Sequence, residues 1–405
     1  MIQLADKFHC TGCSACAQTC AHQAIVMTPD QEGFLQPVIN VDKCVECGLC
    51  MKKCPALSPL VKESLSHQKS YAVISSSDRN ISSSGGAFSV FARYVLSQGG
   101  VVYGATMDDS LKVRHIGIFS LDDLSKLRGS KYVQSEIGDT YVDATNQLKQ
   151  GKMVLYTGTP CQIAGLYKFL GKSYQNQLIT LDLVCHGVPS PLVFETYLRK
   201  LKKSTAHGAE KENMCGFRFR KLDSWDYRPA VKFAESKWRI LTDEKNAYMV
   251  AFFKGWTYRE CCFNCQYSNM SRVGTFTIAD FWGIGKHGVP FAKGVASGVS
   301  LVIDNTNSMA AMRQALSELA YIEERPLEEG VHENHNLKAP VARPEQRASA
   351  IKDLLDEQMS LADFARKYKF LPKKNAKYYL KKWTKDIIYA LGIYNVYKSI
   401  SYKIQ

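Results

Sequence analysis

Cys10, Cys13, Cys16 and Cys20 follow the spacing C-x2-C-x2-C-x3-C, and Cys44, Cys47, Cys50 and Cys54 repeat it, with Pro55 next. Three thiolates at steps of three wrap a compact loop around one 4Fe-4S cluster, and the fourth cysteine of each run reaches across to the other cluster. The expected ligand sets are therefore Cys10, Cys13, Cys16 and Cys54 for one cluster, and Cys44, Cys47, Cys50 and Cys20 for the second. Zinc prefers two separated pairs of ligands and fits the triplets poorly. A disulfide framework suits an oxidising compartment, and this chain begins without the basic-then-apolar pattern of an export signal. The first run carries Ala21 where the second has its proline.

Six further cysteines need another account. Cys262 and Cys265 form a C-x2-C pair within "YRECCFNCQYS". Cys161 and Cys185 stand singly at the ends of predicted strands. Spacing leaves three readings open for these four: a third 4Fe-4S cluster, a zinc site, or a pair beside two small buried thiols. Cys215 and Cys261 have no assigned role, and His186 and His287 are read as structural. Two turns suit an anion, and a third opens a helix. "SSSGGAF" (82–88) offers Ser83, Ser84, Gly85 and Gly86 ahead of a helix. "RGSKYVQS" (128–135) brings Arg128, Gly129, Ser130, Lys131 and Gln134. "TGTPCQ" (157–162) puts Thr157, Gly158, Thr159 and Pro160 at a helix start, with Cys161 in the first turn, where the dipole favours a thiolate. The first two have a plainer reading as a capped or solvated turn.

These groups must be positioned by ordinary elements. The segment between the cysteine runs has turn signals at Pro29-Asp30 and Glu32-Gly33 and suits a small hairpin. Residues 56–70 lack periodicity and read as a linker. Beyond them, "YAVIS" (71–75), "VVYGATM" (101–107), "KMVLYTG" (152–158) and "LITLDLVC" (178–185) read as strands, as do "VKFAES", "TFTIAD" and "VSLVID". "AFSVFARYVLSQ" (87–98) and "PCQIAGLYKFL" (160–170) read as helices. Residues 71–320 are thus expected to form α/β layers around a mixed sheet.

The motifs "SSSGG", "RGSKYVQS", "TGTPCQIAGL", "DLVCHGVPSP", "CFNC" and "TIADFWGI" occur in that order. Together they resemble the beta-subunit family of coenzyme F420 hydrogenase and dehydrogenase, here with a fused two-cluster ferredoxin domain. The resemblance implies FAD and a third 4Fe-4S cluster, whose ligands would fall on Cys161, Cys185, Cys262 and Cys265. It implies a flavin pocket drawing on the turns at 82–86, 129–134 and 157–160, with Arg128 and Lys131 as candidates for the flavin phosphates. Ala279 replaces a glycine common in relatives, beside Asp280 and Trp282. The expected fold class is α+β. A two-cluster ferredoxin domain (1–57) and a linker (58–70) precede an α/β region of the family (71–150). A flavin and iron–sulfur region (151–325) and a basic helical tail (326–405) follow. The function implied is an oxidoreductase. It takes electrons from a donor such as ferredoxin and passes them to an organic substrate or a deazaflavin coenzyme. An electron-transfer subunit and a non-catalytic redox protein of a surface-polysaccharide pathway are the alternatives.

Charge is unevenly placed. The net charge is +14, and from Arg366 to Lys403 eleven residues are basic and one, Asp386, is acidic. Basic residues do not interleave into a nucleic-acid motif, so no nucleic-acid partner is expected. No apolar run is long enough to span a bilayer. The expected location is the cytoplasm, with the basic, tyrosine-rich tail a candidate for peripheral contact with the inner membrane face or with an acidic partner; its plainer reading is a C-terminal helix packed on the core with its lysines in water.

Overall fold

The hairpin between the cysteine runs consists of strands β1 (Ile25–Pro29) and β2 (Leu35–Ile39), antiparallel with Met27 opposite Pro37. Asp30 builds its turn by accepting the backbone N–H groups of Glu32 and Phe34, the local bonding that makes aspartate a turn residue. Gly33 at the tip has φ +84° and lies against Leu192, where any side chain would collide. The computed structural model describes residues 2–60, 67–171, 174, 177–205, 214–222, 225, 227–234, 237–287, 289–371, 383, 384 and 387.

Eight strands form the central sheet. They are β3 (Lys69–Ser75), β4 (Val101–Met107), β5 (Val113–Ile118), β6 (Val154–Gly158) and β7 (Leu178–Leu183). A separate antiparallel sheet of β8 (Met214–Arg218), β9 (Ala230–Phe233) and β10 (Arg239–Ile240) is inserted next. The central sheet then resumes with β11 (Phe276–Asp280), β12 (Ser300–Asp304) and β13 (Ala320–Arg325). Its order is β13-β3-β12-β11-β7-β6-β4-β5. The run β4-β6-β7-β11 is parallel and the flanking pairs are antiparallel. β6 is buried along its whole length, as a parallel strand covered on both faces must be.

Alternate side chains serve opposite faces. Val102, Leu155, Leu181 and Val302 pack under helices Ala87–Ser97 and Met309–Leu319. Val101, Tyr103, Val154 and Tyr156 pack under Thr140–Lys149 and Pro160–Leu170. Cys13 and Ala15 join this second cluster, so the N-terminal module rests on that helical face. An α+β chain with a small cysteine-rich module ahead of a mixed α/β region is the fold class expected from the sequence.

Two boundaries differ from expectation. β3 begins at Lys69, inside the stretch read as linker. Residues 326–371, read as part of the tail, are folded against the body. Ile351, Leu354, Leu361 and Phe364 are buried in one cluster with Tyr197, Leu201 and Trp256. Helical apolar spacing in Arg347–Leu355 and Leu361–Lys367 makes this possible. The basic surplus begins only at Arg366, and most of the remaining tail lies outside the described residues. Among the described residues, no helix is long and apolar enough to cross a membrane.

Candidate functional site

Gly12 and Ser14 take positive φ, 68° and 62°, and turn the first cysteine loop so that Cys10, Cys13 and Cys16 are buried. Cys54 returns to them from the second run, and its charge bears on all three. Burial raises each thiol, Cys13 to about 11, and mutual repulsion adds to the effect. Such a set becomes thiolate only against a strong positive charge, which bound iron supplies. Cys20, Cys44, Cys47 and Cys50 line one cavity of about 90 Å³, and Cys47 is exposed. The backbone N–H groups of Gly12 and Ala24 donate to the sulfurs of Cys10 and Cys20 at 3.4 and 3.3 Å.

The downstream cysteines come from three elements. Thr159 caps the helix Pro160–Leu170, its N–H donating to Gln162 Oε1 at 2.9 Å, which sets Cys161 in the first turn. Cys185 follows the end of β7 by two residues. Cys262 sits on the 3-10 turn Glu260–Asn264, and Cys265 follows it. The four thiols are near enough that Cys161 feels Cys185, Cys265 and Cys262. Burial pushes Cys161 well up and Cys185 up to about 12. The Thr159 hydroxyl, 3.1 Å from Cys161 Sγ, works in the opposite direction. Cys262 is raised first by a hydrogen bond with the buried Cys261 and then by its own burial. Cys215 is exposed on β8, its sulfur 3.4 Å from the carbonyl of Ala234.

This set lies beside the first. Tyr267 is within electrostatic reach of Cys161 and Cys265 and also of Cys13 and Cys54. Gly165, one turn after Cys161, abuts the N-terminal module: a Cβ there would lie 3.0 Å from Cys13 Sγ and 2.9 Å from the Tyr141 hydroxyl. Buried side chains fasten the module. Arg347 donates to both carboxylate oxygens of Glu32, at 2.9 and 2.6 Å. Arg259 donates to the carbonyls of Cys10 and Leu35 at 2.7 and 2.9 Å, and to Gln134 Oε1 at 3.2 Å.

A cleft of about 300 Å³ opens on the other side of Cys185, within the size range of small-molecule sites. It is lined by Ser83, Ser84, Gly86, Arg128, Gly129, Ser130, Lys131, Thr157, Gly158 and Thr159. Three residues expected with them lie elsewhere. Gly85 is packed into the sheet, where a Cβ would meet the Val73 carbonyl at 2.2 Å. Pro160 is buried as the first residue of its helix. Gln134 reaches the N-terminal module, donating to the Thr11 carbonyl at 3.0 Å. Ser130 N–H donates to Ser83 Oγ at 2.9 Å and ties two of the turns together. Asp78 accepts from Arg93 at 2.5 Å and from Arg128 at 2.6 Å, leaving this trio with one surplus positive charge beside the cleft. Lys131 Nζ donates to the carbonyls of Leu127 and Arg128 at 2.9 Å, and burial lowers its pKa to about 7. A second cavity of about 280 Å³ continues across the same 128–131 turn.

Sequence reasoning missed much of the wall. His115 on β5 is buried, its Nε2 bonded to the Thr157 carbonyl at 2.9 Å, and its Nδ1 has no hydrogen-bond partner among the described residues. Its alternation with Val113 on an edge strand was the available signal. At the far end Arg220, Tyr227, Phe252, Phe253 and Trp282 line the cleft. Asp280 binds Arg220 at 2.8 Å, Trp225 Nε1 at 2.6 Å and the Tyr227 hydroxyl at 3.2 Å. Ala279 pairs regularly with Leu301 on β12. His186 lines the cleft, whereas His287 bonds Glu333 at 3.0 Å away from it.

Fold and cysteine sets define an iron–sulfur electron-transfer protein. Residues 9–57 match the family model of the 4Fe-4S dicluster domain. Residues 151–330 match the family model for the C terminus of the coenzyme F420 hydrogenase/dehydrogenase beta subunit. The chain thus carries a C-terminal region of that beta-subunit family together with a dicluster domain at its N-terminal end. A chain from the xenon-derivatised F420-reducing nickel–iron hydrogenase complex of Methanosarcina barkeri is similar, with a TM-score of 0.44 and 14% identity. The match covers 74% of this chain and 92% of that chain. No curated protein matches.

Proposed function

We propose that this protein is an FAD-dependent iron–sulfur oxidoreductase with a third 4Fe-4S cluster on Cys161, Cys185, Cys262 and Cys265. The observation that carries the reading is the double position of Cys185, which belongs to the downstream cysteine set and also lines the cleft. The same set neighbours Cys13 and Cys54 through Tyr267 and Gly165, so the N-terminal module, the downstream set and the cleft are contiguous. When bound, FAD would supply the exchange between single-electron and hydride chemistry. Arg128 provides positive charge for its phosphates, Lys131 adds to it when protonated, and the Ser83 and Gly129 turns let a ligand approach the backbone. His115 Nδ1 offers a buried acceptor that a ligand N–H or O–H would satisfy. The aromatic end around Tyr227 and Trp282 leaves room for an organic substrate or a deazaflavin coenzyme. Val26 and Val38, cross-strand partners, are exposed together with Val41 and Val45. That apolar face beside the second cysteine set favours docking of an electron donor such as ferredoxin, or work as a subunit of a larger complex.

Anaerobic reconstitution is expected to give about twelve irons per chain, four for each cluster, and about eight for Cys161→Ala. FAD is expected to bind with the absorbance of a flavoprotein. About eight irons in both proteins would remove the third cluster from this reading. Absence of FAD binding would remove its centre.

A further inference from the structure

Five arginines are buried among the described residues: Arg220, Arg259, Arg272, Arg325 and Arg347. Four hold a carboxylate. Arg220 pairs with Asp280, Arg272 with Asp182, Arg325 with Glu329 and Arg347 with Glu32, each at 2.6–2.8 Å. Arg259 is 1% exposed, and among the described residues it has no carboxylate partner: it donates to two backbone carbonyls and the Gln134 side-chain amide and lies 5.5 Å from the centroid of the Phe34 ring. A buried cation without a counter-charge is costly, and proteins keep one only where something compensates it. The compensation lies on both sides of Arg259. Its Nε bonds the Cys10 carbonyl, and its own carbonyl accepts from the N–H of Cys262. Its guanidinium thus lies against the Cys10 loop and its main chain against Cys262. Among the described residues, no arginine or lysine lines the cavity that Cys20, Cys44, Cys47 and Cys50 share.

We infer that Arg259 is the shared counter-cation of two iron–sulfur sites, the one on Cys10, Cys13, Cys16 and Cys54 and the one on Cys161, Cys185, Cys262 and Cys265, and that it holds both at higher reduction potentials than its neutral replacement would. The second half of this inference rests on the third cluster proposed above. The physical reason is simple. One-electron reduction of a 4Fe-4S cluster adds one negative charge without taking up a proton, and a fixed cation nearby stabilises the reduced form. Gly12 shows how closely the loop is built around this cation, since a Cβ there would lie 2.8 Å from Arg259 Nη1. Arg259 therefore acts through the clusters as a positioning and potential-setting residue, and it makes the inner two sites the favoured resting place of an electron entering at the exposed second site.

The test is an anaerobic redox titration of the reconstituted full chain followed by electron paramagnetic resonance. Dithionite serves as reductant, and signals are assigned through Cys47→Ser and Cys265→Ser. In Arg259→Gln both inner potentials are expected to fall, each by about tenfold in reduction equilibrium or about 59 mV for one electron. The second site serves as the unmoved internal reference, and Arg259→Lys is expected to recover most of the shift. Unchanged potentials in fully iron-loaded Arg259→Gln would overturn the inference and leave Arg259 a structural latch. Should Arg259→Gln fail to hold iron, Gln134→Glu places a carboxylate against Nη1 while keeping the arginine. It is expected to lower the same two potentials, and no shift there overturns the inference equally. If the wild type binds only about eight irons, the third-cluster reading fails by itself. The potential of the Cys10 site then still decides the role of Arg259.

Discussion

At the scale of single residues, Lys131 combines two tasks. Its ammonium caps the carbonyls of Leu127 and Arg128 while lining the cleft near the Asp78, Arg93 and Arg128 trio. Lys131→Glu reverses a charge where the flavin phosphates are proposed to sit. The dissociation constant for FAD is expected to rise by roughly tenfold or more, about 1.4 kcal/mol. Fluorescence titration checks this, and an unchanged constant would place the phosphates elsewhere. His115 gives a pH prediction. Burial lowers its pKa from 6.5 to about 4, so the unfolded chain takes up this proton at higher pH than the folded one. The stability it contributes is present above pH 6.5 and is lost as pH falls toward 4. Between pH 7 and 5 the wild type should lose about 2 kcal/mol more than His115→Gln. Denaturant titrations at the two pH values measure the difference, and parallel losses would mean that the buried imidazole is not what the acid reaches.

The helix Pro160–Leu170 does the most positioning at the scale of elements. Thr159 and Pro160 start it, Cys161 faces the downstream set and Gly165 admits Cys13 one turn later. Glycine in a helix interior costs about 1 kcal/mol relative to alanine, so Gly165→Ala would stabilise an unconstrained helix by that amount. Here the new methyl would press on Cys13 Sγ and on the Tyr141 hydroxyl, which is bonded to the Gln162 carbonyl at 2.7 Å. Overpacking typically costs about 1–3 kcal/mol, so the substitution is expected to destabilise on balance and to loosen iron retention in the first set. Thermal unfolding with iron analysis decides between the two terms. A stabilised, fully loaded Gly165→Ala protein would show that the module does not seat there.

Charge is decided at the scale of the whole molecule. The segment from Arg366 to Lys403 supplies +10 of the net +14, and it begins where the last buried helix, Leu361–Lys367, ends. Each basic residue near an anionic bilayer contributes about 1 kcal/mol, so the sum would attach the protein peripherally. Co-sedimentation with anionic liposomes is expected to be salt-sensitive and to vanish on truncation after Leu371. Equal, negligible sedimentation of both proteins at low salt would exclude the membrane as the partner of this segment.

Cysteine spacing by itself determined the dicluster domain, because its ligands lie within short loops whose geometry is local. The hairpin, β4 and the helix Pro160–Leu170 were legible for the same reason: turn residues and apolar periods act over neighbouring positions. β5, β8 and β13 were not read, since edge strands with charged residues such as Arg114 and Glu323 lack a clean period. Only the tertiary structure decided that Cys161, Cys185, Cys262 and Cys265 come within electrostatic reach of one another, because β7, the helix after β6 and the turn before β11 are brought together by parallel sheet pairing between distant segments. It also decided that Gln134 faces the N-terminal module and that residues 326–371 belong to the body. Arg259 is the extreme case, an ordinary letter in "YRECC" that becomes a buried cation between two cysteine sets. Burial is a property of the packed molecule, and it alone converts that guanidinium from a solvated charge into an electrostatic element of the site.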